Sequence, residues 1–198
     1  MKIEAKQINE WAERAYNNAV KHGWHEKEKS NAHWMMMVCT EVAEAVQADR
    51  IGRRMNELDK EGLKSVLAKE NESDAFYRYY SDTVENKVES EFADICIRIF
   101  DFMGVRGIVM EHELVTNGYE VSCMKNEDFT ETAMRIIWNI CACSRSIPKS
   151  NIFCIMCKDL LELVFGLAEA QNIDIVEHIN IKMRYNEGRE YKHGNKLY

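Results

Sequence analysis

The chain has 198 residues, enough to bury a substantial core as one domain, residues 1–198, with 46% hydrophobic and 30% charged residues, as in ordinary globular proteins. Its net charge of −7 argues against a general nucleic-acid or membrane surface, where a basic footprint is expected. A single Pro and nine Gly leave few natural helix breakers, and no run of 18 apolar residues marks a membrane span.

The N-terminal MKIEAKQINE lacks the apolar core of a signal peptide. The seven Cys, an odd number lying mostly in apolar helix-like stretches, read as reduced thiols, so a cytoplasmic protein is expected. From Ile3 to His22, apolar residues at Ile8, Trp11, Ala12, Ala15, Ala19 and Val20 follow helical spacing, and Gly23 is a stop. A charged connector after Trp24 leads into Asn31–Arg50, NAHWMMMVCTEVAEAVQADR. Here Glu41 and Glu44 share one helix face with Trp34, Met37, Val38, Ala45 and Ala48 to either side. Both acids should therefore be buried. No Lys or Arg occurs between Lys29 and Arg50, so their charge must be answered from elsewhere in the chain or by a metal.

Gly52 ends this helix. The polar stretch from Arg53 to Lys87 predicts one or two short helices in an excursion between two core helices. Its aromatics Phe76, Tyr77, Tyr79 and Tyr80 are expected to fold back on the core, with stacking on a ligand as the other reading. Thr83–Gly104 is apolar nearly all round, as a central helix is, apart from one stripe of Lys87, Glu91, Asp94, Arg98 and Asp101. That stripe is either a thin solvent window, with Arg98 pairing to Asp94 one turn away, or the wall of a buried polar site. From Val105 to Asp128 the pattern weakens. Helices are predicted again over Phe129–Ile147, ended by Pro148, then over Ile152–Ala170 and Asp174–Glu187, with a basic tail.

If the two acid-bearing helices pack side by side, Glu41, Glu44, Glu91 and Asp94 converge. Each like-charge contact at about 4 Å costs on the order of 4 kcal/mol at an effective dielectric of about 20. A divalent cation would relieve that repulsion, and an all-oxygen ligand set points to Mg²⁺ or Mn²⁺, hence to a phosphate-bearing substrate. Lys182, Asn186 and Arg189 fall on one face of the last helix, followed by Lys192, His193 and Lys196. They are either a solvated basic end or clamps for phosphate oxygens. Cys141-x-Cys143 with Cys154-x-x-Cys157 has the count of a zinc site, but its setting in apolar helical runs favours core thiols. A carboxylate-bridged di-iron bundle would need Glu-x-x-His on each of two helices, which the predicted helices do not supply.

The ordered set TEVAE at Thr40–Glu44, ESEFAD at Glu89–Asp94 and Lys182-x-x-x-Asn186-x-x-Arg189 resembles the all-α nucleoside triphosphate pyrophosphatases, the MazG-like and dimeric-dUTPase-like superfamily. Thr40 stands where that family has a leading acid, and NNAVKHGW is similar as well. The resemblance implies an all-α bundle of about five to six main helices; it does not cover the polar stretch near residues 53–82, which is read as an insertion between the two metal-binding helices. It implies Mg²⁺, or Mn²⁺ in its place, on Glu41, Glu44, Glu91 and Asp94, and phosphate contacts from Lys182, Asn186 and Arg189. The implied reaction cleaves a nucleoside triphosphate between the α- and β-phosphates to a monophosphate and pyrophosphate, in a homodimer or homotetramer. The alternative is a non-catalytic helical metal- or nucleotide-binding protein that keeps the fold.

Overall fold

A computed structural model describes residues 1–69, 73–144 and 151–192, without the side chains of 73, 143, 144 and 151–153. Among these residues the chain is mostly helical, and no helix is long and apolar enough to cross a membrane. Six long helices carry the fold: α1 (Ala5–Lys21), α2 (Asn31–Arg50), α5 (Val88–Arg106), α7 (Phe129–Ser144), α8 (Asn151–Ala170) and α9 (Ile175–Glu187). Between them lie the shorter α3 (Glu57–Leu67), α4 (Ser73–Tyr79) and α6 (Gly118–Met124).

Local chemistry sets several boundaries. Ser30 caps α2 by accepting from the His33 amide, Asn56 and Asp59 form a reciprocal capping box on α3, and Asp174 caps α9 at the Glu177 amide. Gly107 ends α5 in the left-handed conformation, φ 60°. Two boundaries differ from the sequence reading. Lys2 and Ile3 pair antiparallel with Val115 and Leu114, so the chain starts as a two-residue strand, β1 (Lys2–Ile3), against β2 (Leu114–Val115). The central helix begins at Val88 rather than Thr83, because Tyr80–Val84 form a π-helix and Asn86, at φ 64°, turns the chain out of helical geometry. Pro148 lies outside the described residues.

The core is built around α5, which packs against α1, α2, α8 and α9. Its Phe92, Ile95, Cys96, Ile99, Phe100 and Phe102 are fully buried, and Trp11 of α1 packs against both Phe100 and Phe165 of α8. A second, smaller core joins the excursion to α9: Met55, Leu63, Phe76, Tyr80 and Val84 bury against Ile181 and Tyr185. The excursion aromatics thus pack inward, as the first of the two sequence readings expects. The zinc arrangement is not formed among the described side chains: Cys157 is buried, Cys141 is exposed, Cys143 falls outside them, and the candidate metal group contains carboxylates alone.

Candidate metal and anion site

Three helices deliver the site. α2 carries Glu41 and Glu44, α5 carries Glu91, Asp94, Arg98 and Asp101, and α9 carries Lys182 and Asn186, with Arg189 just beyond its end. Because α5 packs on both α2 and α9, its polar stripe faces inward between them. It is the wall of a buried polar site. All these side chains line one cavity of about 310 Å³.

Carboxylate oxygens of Glu41, Glu91 and Asp94 lie within 4.8 Å of one another. Glu44 also lines the cavity but is exposed, so of the two acids in the first pair only Glu41 is buried as expected. The reason is helical phase: at about 100° per residue Glu41 falls beside the stripe of buried Val38 and Ala45, and Glu44 falls about 60° further from it, on the rim.

The cations are each matched to an acid. Arg98 does not pair with Asp94 along its own helix; its Nε donates across to Glu41 Oε1 at 2.9 Å. Lys182, only 3% exposed, reaches Asp94 Oδ2 at 2.7 Å and donates to Ser90 Oγ at 3.2 Å. Arg189 lies 3.5 Å from Glu85, which also accepts from the Tyr185 hydroxyl at 3.1 Å. Asp101 accepts from or pairs with His25 at 2.7 Å, and His25 sits against the rings of Tyr16 and Trp34. Glu91, 4% exposed, and Glu44 receive no ion pair from these cations.

The electrostatics follow. Burial, then Asp94, push the Glu91 carboxyl up to about 8. Burial and Asp94 likewise raise Glu41, with Arg98 opposing them. Burial pulls the Lys182 ammonium down, but its neighbours together, Asp94 first among them, outweigh it and hold the group above the ordinary lysine value. The pocket therefore holds three converging carboxylates, one of them without a cationic partner, beside a fixed ammonium. A divalent cation fits this donor set: it is all oxygen, it is charged oppositely, and it would take the place of the proton that Glu91 otherwise keeps. Asn186 adds a further sign of a ligand. Its Oδ1 is buried with no hydrogen-bond partner among the described residues.

All seven residues singled out in the sequence thus line one cavity. Glu85, Asn86, Asn18 and Asp101 line it too. Asp101 was visible as part of the polar stripe, but Glu85 and Asn86 sit at the edge of the aperiodic excursion and carry no pattern. His193 and Lys196 lie outside the described residues, and Lys192 pairs with Glu26 at 2.7 Å, away from the carboxylates. Trp24, half-buried, lines the cavity, whereas Tyr77 and Tyr80 belong to the smaller core. No family model, no curated protein and no solved structure matches the chain.

Proposed function

We propose that the protein is a metal-dependent nucleotide pyrophosphohydrolase, hydrolysing a nucleoside triphosphate to the monophosphate and pyrophosphate. The observation that carries this reading is the meeting of Glu41, Glu91 and Asp94 within 4.8 Å, in the same cavity as Lys182, Asn186 and Arg189. Acids that gather a divalent cation beside fixed cations make a site for a polyphosphate, whose oxygens need both.

In this reading Glu41, Glu91, Asp94 and the rim acid Glu44 hold Mg²⁺ or Mn²⁺. When bound, the ion supplies charge neutralisation at the phosphate oxygens and lowers the cost of forming hydroxide. The remaining work falls to the chain. Lys182 and Arg189 donate charge-assisted hydrogen bonds to the β- and γ-phosphate oxygens, where negative charge grows as pyrophosphate departs. Asn186 offers its buried, unpartnered Oδ1 to a donor on the ligand and its amide to an oxygen. Water attacks the α-phosphorus, the bond to the α–β bridging oxygen breaks, and a carboxylate of the cluster takes the water's proton. Assembly as a homodimer or homotetramer belongs to the same proposal; the exposed Met134 and Trp138 on α7 offer apolar surface for it.

A second reading, a non-catalytic metal- or nucleotide-binding protein, is favoured by one feature: Lys182 and Arg189 are already engaged by Asp94 and Glu85. Pyrophosphate release from a panel of standard and modified nucleoside triphosphates, with Mg²⁺, Mn²⁺ or EDTA, separates the two. Metal-dependent release from one or a few nucleotides is expected. Silence across the panel from folded, metal-binding protein selects the second reading.

A further inference from the structure

We infer that the excursion between the two acid-bearing helices is part of the site: its Tyr80, with Tyr185 of α9, forms an aromatic cage that positions the Lys182 ammonium against Asp94. The inference rests on the reading of Lys182 as a phosphate contact and adds the residues that hold it there.

Four observations meet at one atom. Lys182 Nζ is 5.5 Å from the ring centroid of Tyr80 and 5.5 Å from that of Tyr185. The two rings stack on each other, with centroids 4.4 Å apart and planes at 27°, so the ammonium sits beside the stacked pair and meets the face of at most one ring. Ser90 Oγ accepts from Lys182 at 3.2 Å and is itself 3.1 Å from the Tyr80 hydroxyl, so ring and serine are tied together. Tyr80 is fully buried and opens the π-helix Tyr80–Val84, a helical form that often marks functional sites.

The chemistry explains why rings serve better than acids. A lysine side chain has four rotatable carbons, and its buried ammonium must be stabilised on every side. A second carboxylate would do this, but it would compete with phosphate for the same donors. An aromatic face attracts the cation without an accepting lone pair. Asp94 and Ser90 then take two of the ammonium's three N–H directions, which leaves the third for a phosphate oxygen. Glu85, which follows the π-helix, extends the same logic by holding Tyr185 through its hydroxyl. The smaller core of Met55, Leu63, Phe76 and Val84 is the foundation beneath the cage.

The test compares Tyr80→Phe, Tyr80→Leu and Tyr185→Leu with wild type. Lysines are acylated with an amine-reactive ester and read by mass spectrometry, a measurement that needs no substrate. Lys6, with an 87% exposed side chain, is the labelled reference, and Lys87, at 18%, reports on whether the excursion stays docked. Lys182 should be protected in wild type and in Tyr80→Phe, which keeps the ring face. Its labelling should rise at least fivefold in both leucine variants with Lys87 unchanged. Where a triphosphate is turned over, kcat should fall about tenfold in Tyr80→Leu and less than threefold in Tyr80→Phe, with KM within twofold. Lys182 protected in every variant, Tyr80→Phe as damaging as Tyr80→Leu, or Lys87 rising together with Lys182 in both leucine variants would each overturn the cage. The last outcome would make Tyr80 ordinary packing. Wild type that turns over no nucleotide while the labelling pattern holds removes the nucleotide reading and leaves the cage standing.

Discussion

Glu91 is the residue at which the cost of the site concentrates. In the metal-free protein its carboxyl sits at about 8 rather than 4.5, so between those values the folded chain keeps a proton that the unfolded chain has lost. That proton's contribution is fully present below about pH 4.5 and is lost as pH rises through about 8. With EDTA present, the melting temperature should therefore fall from pH 6 to pH 9. Glu91→Gln, which imitates the protonated form, should remove most of this slope and gain on the order of 2–4 kcal/mol at pH 9. Parallel slopes for the two proteins in thermal melts would place the buried charge elsewhere. Arg98 gives the complementary prediction. Its guanidinium answers Glu41 across the helix interface, so Arg98→Ala strands a buried carboxylate and should cost about 2 kcal/mol or more. Adding Glu41→Gln should recover much of that loss in denaturant melts, because an amide tolerates burial better than an unpaired charge. A double variant no more stable than Arg98→Ala would refute the pairing.

At the scale of elements, the entry into α5 decides where its stripe points. Asn86 turns the chain at φ 64°, between the π-helix and the first turn carrying Glu89, Ser90 and Glu91. Asn accepts the left-handed region through its short polar side chain, and a Cβ-bearing apolar residue does not. Asn86→Ala should cost about 1–2 kcal/mol, and Asn86→Gly should stay within about 0.5 kcal/mol of wild type. Equal losses in chemical denaturation would show that the side chain, not the backbone, is what counts. This turn also shows where sequence reasoning stops. The boundaries of α2 were legible because Ser30 and Gly52 bracket an uninterrupted periodic run, and α5 was legible over its apolar length. Its start was not, since a π-helix departs from the 3.6-residue period and Thr83–Val84 fit an ordinary helix equally well. The two-residue strands carry too little pattern to register. Within the site, the six acidic and basic residues could be named because charge is conspicuous in apolar helices, and Asn186 because it shares a helix face with Lys182 and Arg189. Their pairing could not. Arg98 with Asp94 was the local solution, and only the crossing of α2 over α5 makes Glu41 the partner.

For the molecule as a whole, folding works against its own charge. The chain carries a net −7, and folding brings six of its acids to one cavity that three Arg and Lys side chains answer. Unfolding disperses those acids. A divalent cation that needs the assembled cluster binds the folded state alone, so its binding free energy adds directly to stability. At a free concentration 100 times the dissociation constant the gain is about 2.7 kcal/mol. For a domain of this size each kcal/mol moves the midpoint by about 2–4 °C, so saturating Mn²⁺ or Mg²⁺ should raise the melting temperature by about 5–10 °C over EDTA-treated protein. The size of the rise should sort the acids by burial. It should vanish in Glu91→Gln and shrink strongly in Glu41→Gln. It should shrink least in Glu44→Gln, whose carboxylate stands on the rim in reach of water. Simple screening of the net charge makes the opposite prediction, because any salt of equal ionic strength would serve and every single-acid variant would respond alike. Melts in matched KCl therefore decide whether the cluster binds an ion or merely tolerates its own repulsion.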